Sequence, residues 1–155
     1  MLPLDVSLAF FFVSIVLALA PGPDNIFVLT QSALYGWRQG LSVTIGLCTG
    51  LLVHTALVAG GVAALIQASP LLFNALKSIG AFYLLYLAWG AMRAAPQTGS
   101  ARGTSPALTL VQLYRRGIIM NVTNPKVSIF FLAFLPQFTR QDSGPLILQI
   151  LWLGL

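Results

Sequence analysis

"ALAPGPDNIF", residues 18–27, interrupts an apolar run that extends from Leu4 to Tyr35. As one straight α-helix that run would measure about 48 Å, against about 30 Å of bilayer hydrocarbon. Pro21 and Pro23 each lack an N–H and obstruct the preceding turn, and Gly22 between them opens backbone conformations closed to other residues. Asp24 and Asn25 follow where side-chain oxygens cap a new helix, and an acid there also complements the helix dipole. The stretch therefore predicts one membrane crossing made of two helices with a break between them.

Composition supports a crossing. Hydrophobic residues make up 57% of the 155-residue chain and charged residues only 7%, whereas a soluble domain carries about 25% charged residues. The net charge of +5 comes from eight Lys and Arg scattered over connections and helix ends, which excludes a nucleic-acid-binding face and reports topology instead. No basic stretch precedes the first run, whose only early charge is Asp5, so it reads as a retained span rather than a signal peptide. Cys48 is the only cysteine; it forms no internal disulfide and reads as a packed, inert thiol. With one histidine and one cysteine there is no metal-ligand cluster, and no phosphate loop, nucleophile elbow or carboxylate pair is present. No catalytic residue, metal or cofactor is expected.

Working outward, further apolar runs cover about 40–67, 70–92 and 117–138, each long enough to span, and a partial fifth covers 145–155. The predicted fold class is an all-α integral membrane protein, a polytopic helix bundle of one domain over 1–155, with helices 1 and 4 broken and the fifth cut short. Arg93, Arg102, Arg115 and Arg116 mark the connection 93–116 as cytoplasmic, Arg38 agrees, and the N-terminus then lies outside. Within that connection "ALTLVQLYRRG", residues 107–117, suits a short helix lying at the inner interface. Trp37, Trp89, Tyr35 and Tyr114 read as interfacial belt residues, and Lys77 as a snorkelling one.

The second interruption is "NVTNPK", residues 121–126. Pro125 frees carbonyls of the turn before it, Asn121 and Asn124 offer side-chain partners, and Lys126 brings a cation into the span at about 2.5 to 3.5 kcal/mol on insertion scales. Asp24 is the only acid inside the apolar runs. The two broken helices are therefore expected to meet, with Asp24 and Lys126 at salt-bridge or substrate-bridging distance. Superposing the interruptions needs an offset of 102 residues (Asp24 onto Lys126, 126 − 24), which predicts a 3+3 inverted repeat truncated in its fifth helix, from an intact chain of roughly 200 residues. Two readings of Asp24 stand side by side: a cap on a kinked helix, or an acid lining a polar cavity where it receives a cationic group or a proton. His54 is equally divided between a packed, hydrogen-bonded residue and a proton relay. Gly46 and Gly50 form a small-xxx-small pattern for close helix packing.

"LALAPGPDNIFVLTQSALYGWRQGL", "GLCTGLLVH", "LKSIGAFYLLYLAWGAMRA" and "GIIMNVTNPKVSIFFLAFLPQF" together resemble the bacterial LysE/RhtB family of amino-acid exporters across essentially the whole chain. The resemblance implies a bacterial inner-membrane protein that exports amino acids or derivatives such as homoserine, homoserine lactone, threonine or lysine, driven by the proton-motive force. It places the family pattern on Pro21, Gly22 and Pro23; on Gly46, Gly50 and His54; on Lys77, Gly80 and Tyr83, Gly80 being a third packing glycine; and on Asn121, Asn124, Pro125 and Lys126. Members are near 200 residues long, so this chain is expected to stop inside the fifth span. Residues and resemblance suggest one mechanism, in which an amino acid lodges between the broken helices. Its ammonium turns toward Asp24, and its carboxylate toward Lys126 or freed backbone amides. The substrate-binding set is then Pro21, Gly22, Pro23, Asp24, Asn25, Asn121, Asn124, Pro125 and Lys126, with proton coupling through Asp24 or His54. The expected partners are a small amino acid and membrane lipid, with no nucleic acid, and homo-oligomer formation stays open. The alternative is a channel or helix-packing subunit without coupled transport.

Overall fold

The computed structural model describes residues 2–93 and 108–155, and the regular elements among them are all helical. Most of the connection expected at 93–116 falls outside the described residues. The first run divides as expected into α1 (Leu4–Leu19) and α2 (Pro23–Tyr35), bent by 61° across residues 20–22. A tight turn at Gly36, whose φ of 103° lies where only glycine is at ease, leads to α3 (Trp37–Ala68). Then follow α4 (Pro70–Arg93), α5 (Leu110–Val122) and α6 (Pro125–Ile129). The chain continues as a π-helical turn (Phe130–Phe134) and a 3₁₀ turn (Leu135–Phe138), and ends in α7 (Leu146–Gly154). The stretches Trp37–Gly61 and Leu71–Gly90 are each long and apolar enough to cross a membrane alone, and the number rises to four if each of the two bent pairs is one span.

The fourth run begins earlier than its composition suggests. Among the described residues no separate short helix ends at Gly117: α5 runs on from Leu110 to Val122, and at its start Thr109 and Gln112 form a reciprocal capping box. Leu113 and Gly117 on this helix are buried while Arg115 and Arg116 stay exposed, so one face docks on α3 and the other carries the charge. Tyr114 lies on that docked helix, its hydroxyl 3.2 Å from Thr49 Oγ1 on α3. Cys48 is exposed on the outer side of α3 and is not packed.

Central α3 packs against α2, α4, α5 and α7. It can approach α5 closely because both present glycine: a Cβ on Gly46 would overlap the Tyr114 carbonyl, and one on Gly117 the Val43 carbonyl. One turn on, Gly50 leaves room for the Asn121 side chain, and Gly80 on α4 leaves room for Ala133 in the π turn. An aromatic cluster closes the other side, with Phe10 on α1 lying 5.8 Å from Phe130 and 5.3 Å from Phe138 between ring centroids. Val58, Val127, Phe131, Leu135 and Ile150 complete this core. Gln149 on α7 was invisible to pattern reading, although a lone amide in an apolar helix is a signal in itself. Its buried side chain accepts from Arg140 N and donates to the Arg140 and Gly144 carbonyls, each at 2.8 Å, tying α7 to the preceding loop.

Candidate functional site

Each proline strips a backbone donor from the carbonyl four residues before it. For Pro21 that carbonyl is Leu17, and for Pro125 it is Asn121. In a membrane such groups must find partners inside the protein, and both do. Lys126 Nζ donates to Leu17 O at 3.2 Å and to Ala20 O at 3.0 Å. Asn25 Nδ2 donates to Ala18 O at 2.7 Å and to Ala20 O at 3.3 Å. The negative end of α1 is thus capped by a cation and an amide from beyond the two breaks. Gly22 leaves room for this approach, since a Cβ there would lie 3.2 Å from Lys126 Nζ, a tight contact that the ammonium would have to yield to by a few tenths of an ångström.

The second break is built in the same way. The Asn121 carbonyl accepts from Asn124 N at 3.0 Å, and His54 Nε2 lies 3.2 Å from it. Asn124 caps α6, its Oδ1 accepting from Lys126 N at 3.0 Å. The helices after the breaks open with proline at their first positions, Pro23 and Pro125.

The breaks meet through Asn124 and Asp24. Asn124 Nδ2 donates to Asp24 Oδ2 at 2.8 Å, and both residues are buried. Asp24 and Lys126 do not pair directly, because Arg140–Asp142 is the only ion pair among the described residues. They line instead the same cavity of about 520 Å³ between α1, α2, α3, the second break and α7. Its polar end carries Asp24, Asn25, Asn121 and Lys126, and its walls are mostly apolar, including Phe10, Leu47, Leu51, Phe130 and Phe131. Asp24 Oδ1 and Asn121 Oδ1 are buried with no hydrogen-bond partner, as is Ser14 Oγ on α1, which also lines the cavity. Such groups cost about 1 to 3 kcal/mol each while unsatisfied. Lys126 spends two of its three donors on α1.

The remaining candidates stand around this cavity. Gly22, Pro23, Asn124 and Pro125 shape the breaks from behind the lining, Pro21 lines a smaller neighbouring cavity of about 210 Å³ that also touches Lys126, and His54 sits behind Asn121. Sequence pattern did not single out Ser14 or the aromatic wall, because apolar residues in a membrane helix carry no mark of the face they line. No group of three or more His, Cys, Asp or Glu able to hold a metal occurs among the described residues.

The sequence model of the LysE type translocator family matches residues 15–155. The chain is 38% identical to an uncharacterized membrane protein of Vibrio cholerae, over 98% of this chain and 73% of that protein. It is 34% identical to the leucine efflux proteins of Salmonella typhimurium and Salmonella choleraesuis, over 81% of this chain and 59% of theirs. The match thus spans less than two thirds of the leucine efflux proteins. No solved structure matches the chain.

Proposed function

The chain belongs to the LysE type translocator family, and from that premise we propose that it exports amino acids across the bacterial inner membrane as a proton-coupled carrier. One observation carries the reading: a single cavity is lined at one end by Asp24, whose Oδ1 is buried without a hydrogen-bond partner, and by Lys126, with aromatic and aliphatic walls beyond. The substrate ammonium goes to Asp24 Oδ1. Its carboxylate goes to the remaining donor of Lys126, assisted by the open backbone N–H groups at the start of α2. The apolar walls favour a leucine-like side chain over homoserine, homoserine lactone or threonine, in keeping with the relatives named for leucine efflux. Substrate and proton compete for Asp24, so that only one is carried on it at a time and the inward proton gradient drives efflux. The orientation that the arginines favour, N-terminus outside and the connection 93–116 in the cytoplasm, suits that direction.

Proteoliposomes loaded with radiolabelled leucine, homoserine, homoserine lactone, threonine or lysine test this under an imposed pH gradient. The carrier reading expects saturable release that the gradient accelerates, with leucine leading by about tenfold or more, a margin that burial of two or three methylenes supplies. Release no faster than from empty liposomes would remove the carrier. Release that neither saturates nor responds to the gradient would establish the channel in its place.

A further inference from the structure

The imidazole of His54 is buried and is not among the residues that line the cavity. Its Nε2 lies 3.2 Å from the Asn121 carbonyl, and its ring lies 5.5 Å from that of Phe131. A carbonyl only accepts, so Nε2 must carry the hydrogen. That carbonyl is the one from which Pro125 withholds the ordinary helical N–H. It also accepts from the backbone at the turn, from Asn124 N at 3.0 Å and from the N–H of Thr123, and His54 approaches it from α3.

We infer that His54 is a positioning residue: through Nε2–H it adds a side-chain donor to the Asn121 carbonyl beside the backbone N–H of Asn124, fixes the turn 121–124, and thereby holds Asn124 against Asp24. The inference rests on the carrier reading for its consequence in transport, and on geometry alone for its structural part. The path is short and each link has a length: His54 Nε2 to Asn121 O, Asn124 N back to Asn121 O at 3.0 Å, and Asn124 Nδ2 to Asp24 Oδ2 at 2.8 Å. Lys126 performs the matching task at Leu17 O for Pro21. At both interruptions, then, the carbonyl that proline deprives of its helical N–H is approached by a side-chain nitrogen from another helix, alone at Leu17 and beside a backbone donor at Asn121. A residue at the end of this path needs a donor at Nε2 and no change of charge. The proton-relay role requires the reverse.

Glutamine separates the two, because its Nε2 stands the same number of bonds from Cα and donates, yet it does not titrate. Full-chain protein carrying His54→Gln or His54→Leu is compared with wild type in proteoliposomes over a range of pH, and amide hydrogen exchange is followed across residues 119–128. Positioning predicts that His54→Gln keeps transport within about twofold, with an unchanged pH profile and unchanged exchange. His54→Leu should lose about tenfold or more in transport and exchange faster across the second break. Transport by His54→Gln that is as poor as that of His54→Leu, or that runs downhill but no longer responds to the proton gradient, overturns the inference in favour of a relay. If wild type moves no amino acid, the carrier reading fails by itself, and exchange still decides: protection kept by Gln and lost by Leu upholds the positioning role, while equal protection in all three removes it.

Discussion

On the carrier reading, Asp24→Asn should lower amino-acid efflux about a hundredfold while leaving folded yield close to wild type. The substitution keeps size and shape, and an amide oxygen in place of Oδ2 still accepts from Asn124 Nδ2 at the junction of the breaks. What disappears is the negative charge at Oδ1, the buried oxygen with no partner. An ammonium drawn from water into a site with mostly apolar walls then meets a neutral amide. Removing one member of a desolvated, hydrogen-bonded charge pair costs about 2 to 5 kcal/mol, which brackets the factor of a hundred at about 2.7 kcal/mol. Flux measured in proteoliposomes, beside thermal stability in detergent, checks both halves: lost transport with stability retained is expected. Gly22 is the N-cap of α2, with no side-chain cap bond; if Asp24 served only to support that helix start, asparagine would serve as well and flux and stability would both survive.

Lys126→Met has the larger total effect because Lys126 does two things. Its ammonium satisfies Leu17 O and Ala20 O, and it offers the remaining donor to the substrate carboxylate. Methionine keeps much of the stem and supplies no donor. Ala20 O retains the longer bond from Asn25, but Leu17 O loses its only side-chain donor. A buried acceptor left without a partner costs about 1 to 3 kcal/mol, so the protein should melt several degrees lower, and efflux should fall by more than a hundredfold. Lys126→Arg should recover much of the stability and little of the transport. Its guanidinium reaches the same carbonyls, yet it must fit where even a Cβ on Gly22 would come within 3.2 Å of the lysine nitrogen. A Met variant with wild-type melting would show that α1 does not depend on this cap.

These expectations draw on features that a reader of the chain alone can partly see. Both breaks, the spans around them and the meeting of Asp24 with the region of Lys126 follow from proline, glycine and charge placed inside apolar runs, since lipid penalises every unpaired polar group. Which partner each group takes does not follow. Lys126 and Asp24 read as a pair because each is the other's only obvious counter-charge. In the structure the cation caps backbone carbonyls and the acid takes an amide, leaving both a share of bonding capacity. The origin of the fourth span at Leu110 was hidden because Arg115 and Arg116 look like an interface, although a helix with one docked face tolerates charge on the other. Cys48 is exposed where its apolar segment suggests a packed thiol, for the related reason that hydropathy identifies a membrane helix but not its rotation about its axis. The aromatic wall of the cavity lies beyond such reading altogether.

The central claim is that opposite charges on one small solute are read at the two breaks, and equilibrium binding of three compounds to the wild-type protein tests it most directly. These are leucine, its amide, which lacks the carboxylate, and its hydroxy-acid analogue, which lacks the ammonium. Leucine should bind and each analogue should bind at least about thirtyfold more weakly, the loss expected when one buried charge goes unmatched. Equal affinity of leucine and either analogue would contradict the account, because the end of the cavity assigned to the missing charge would then contribute nothing to recognition.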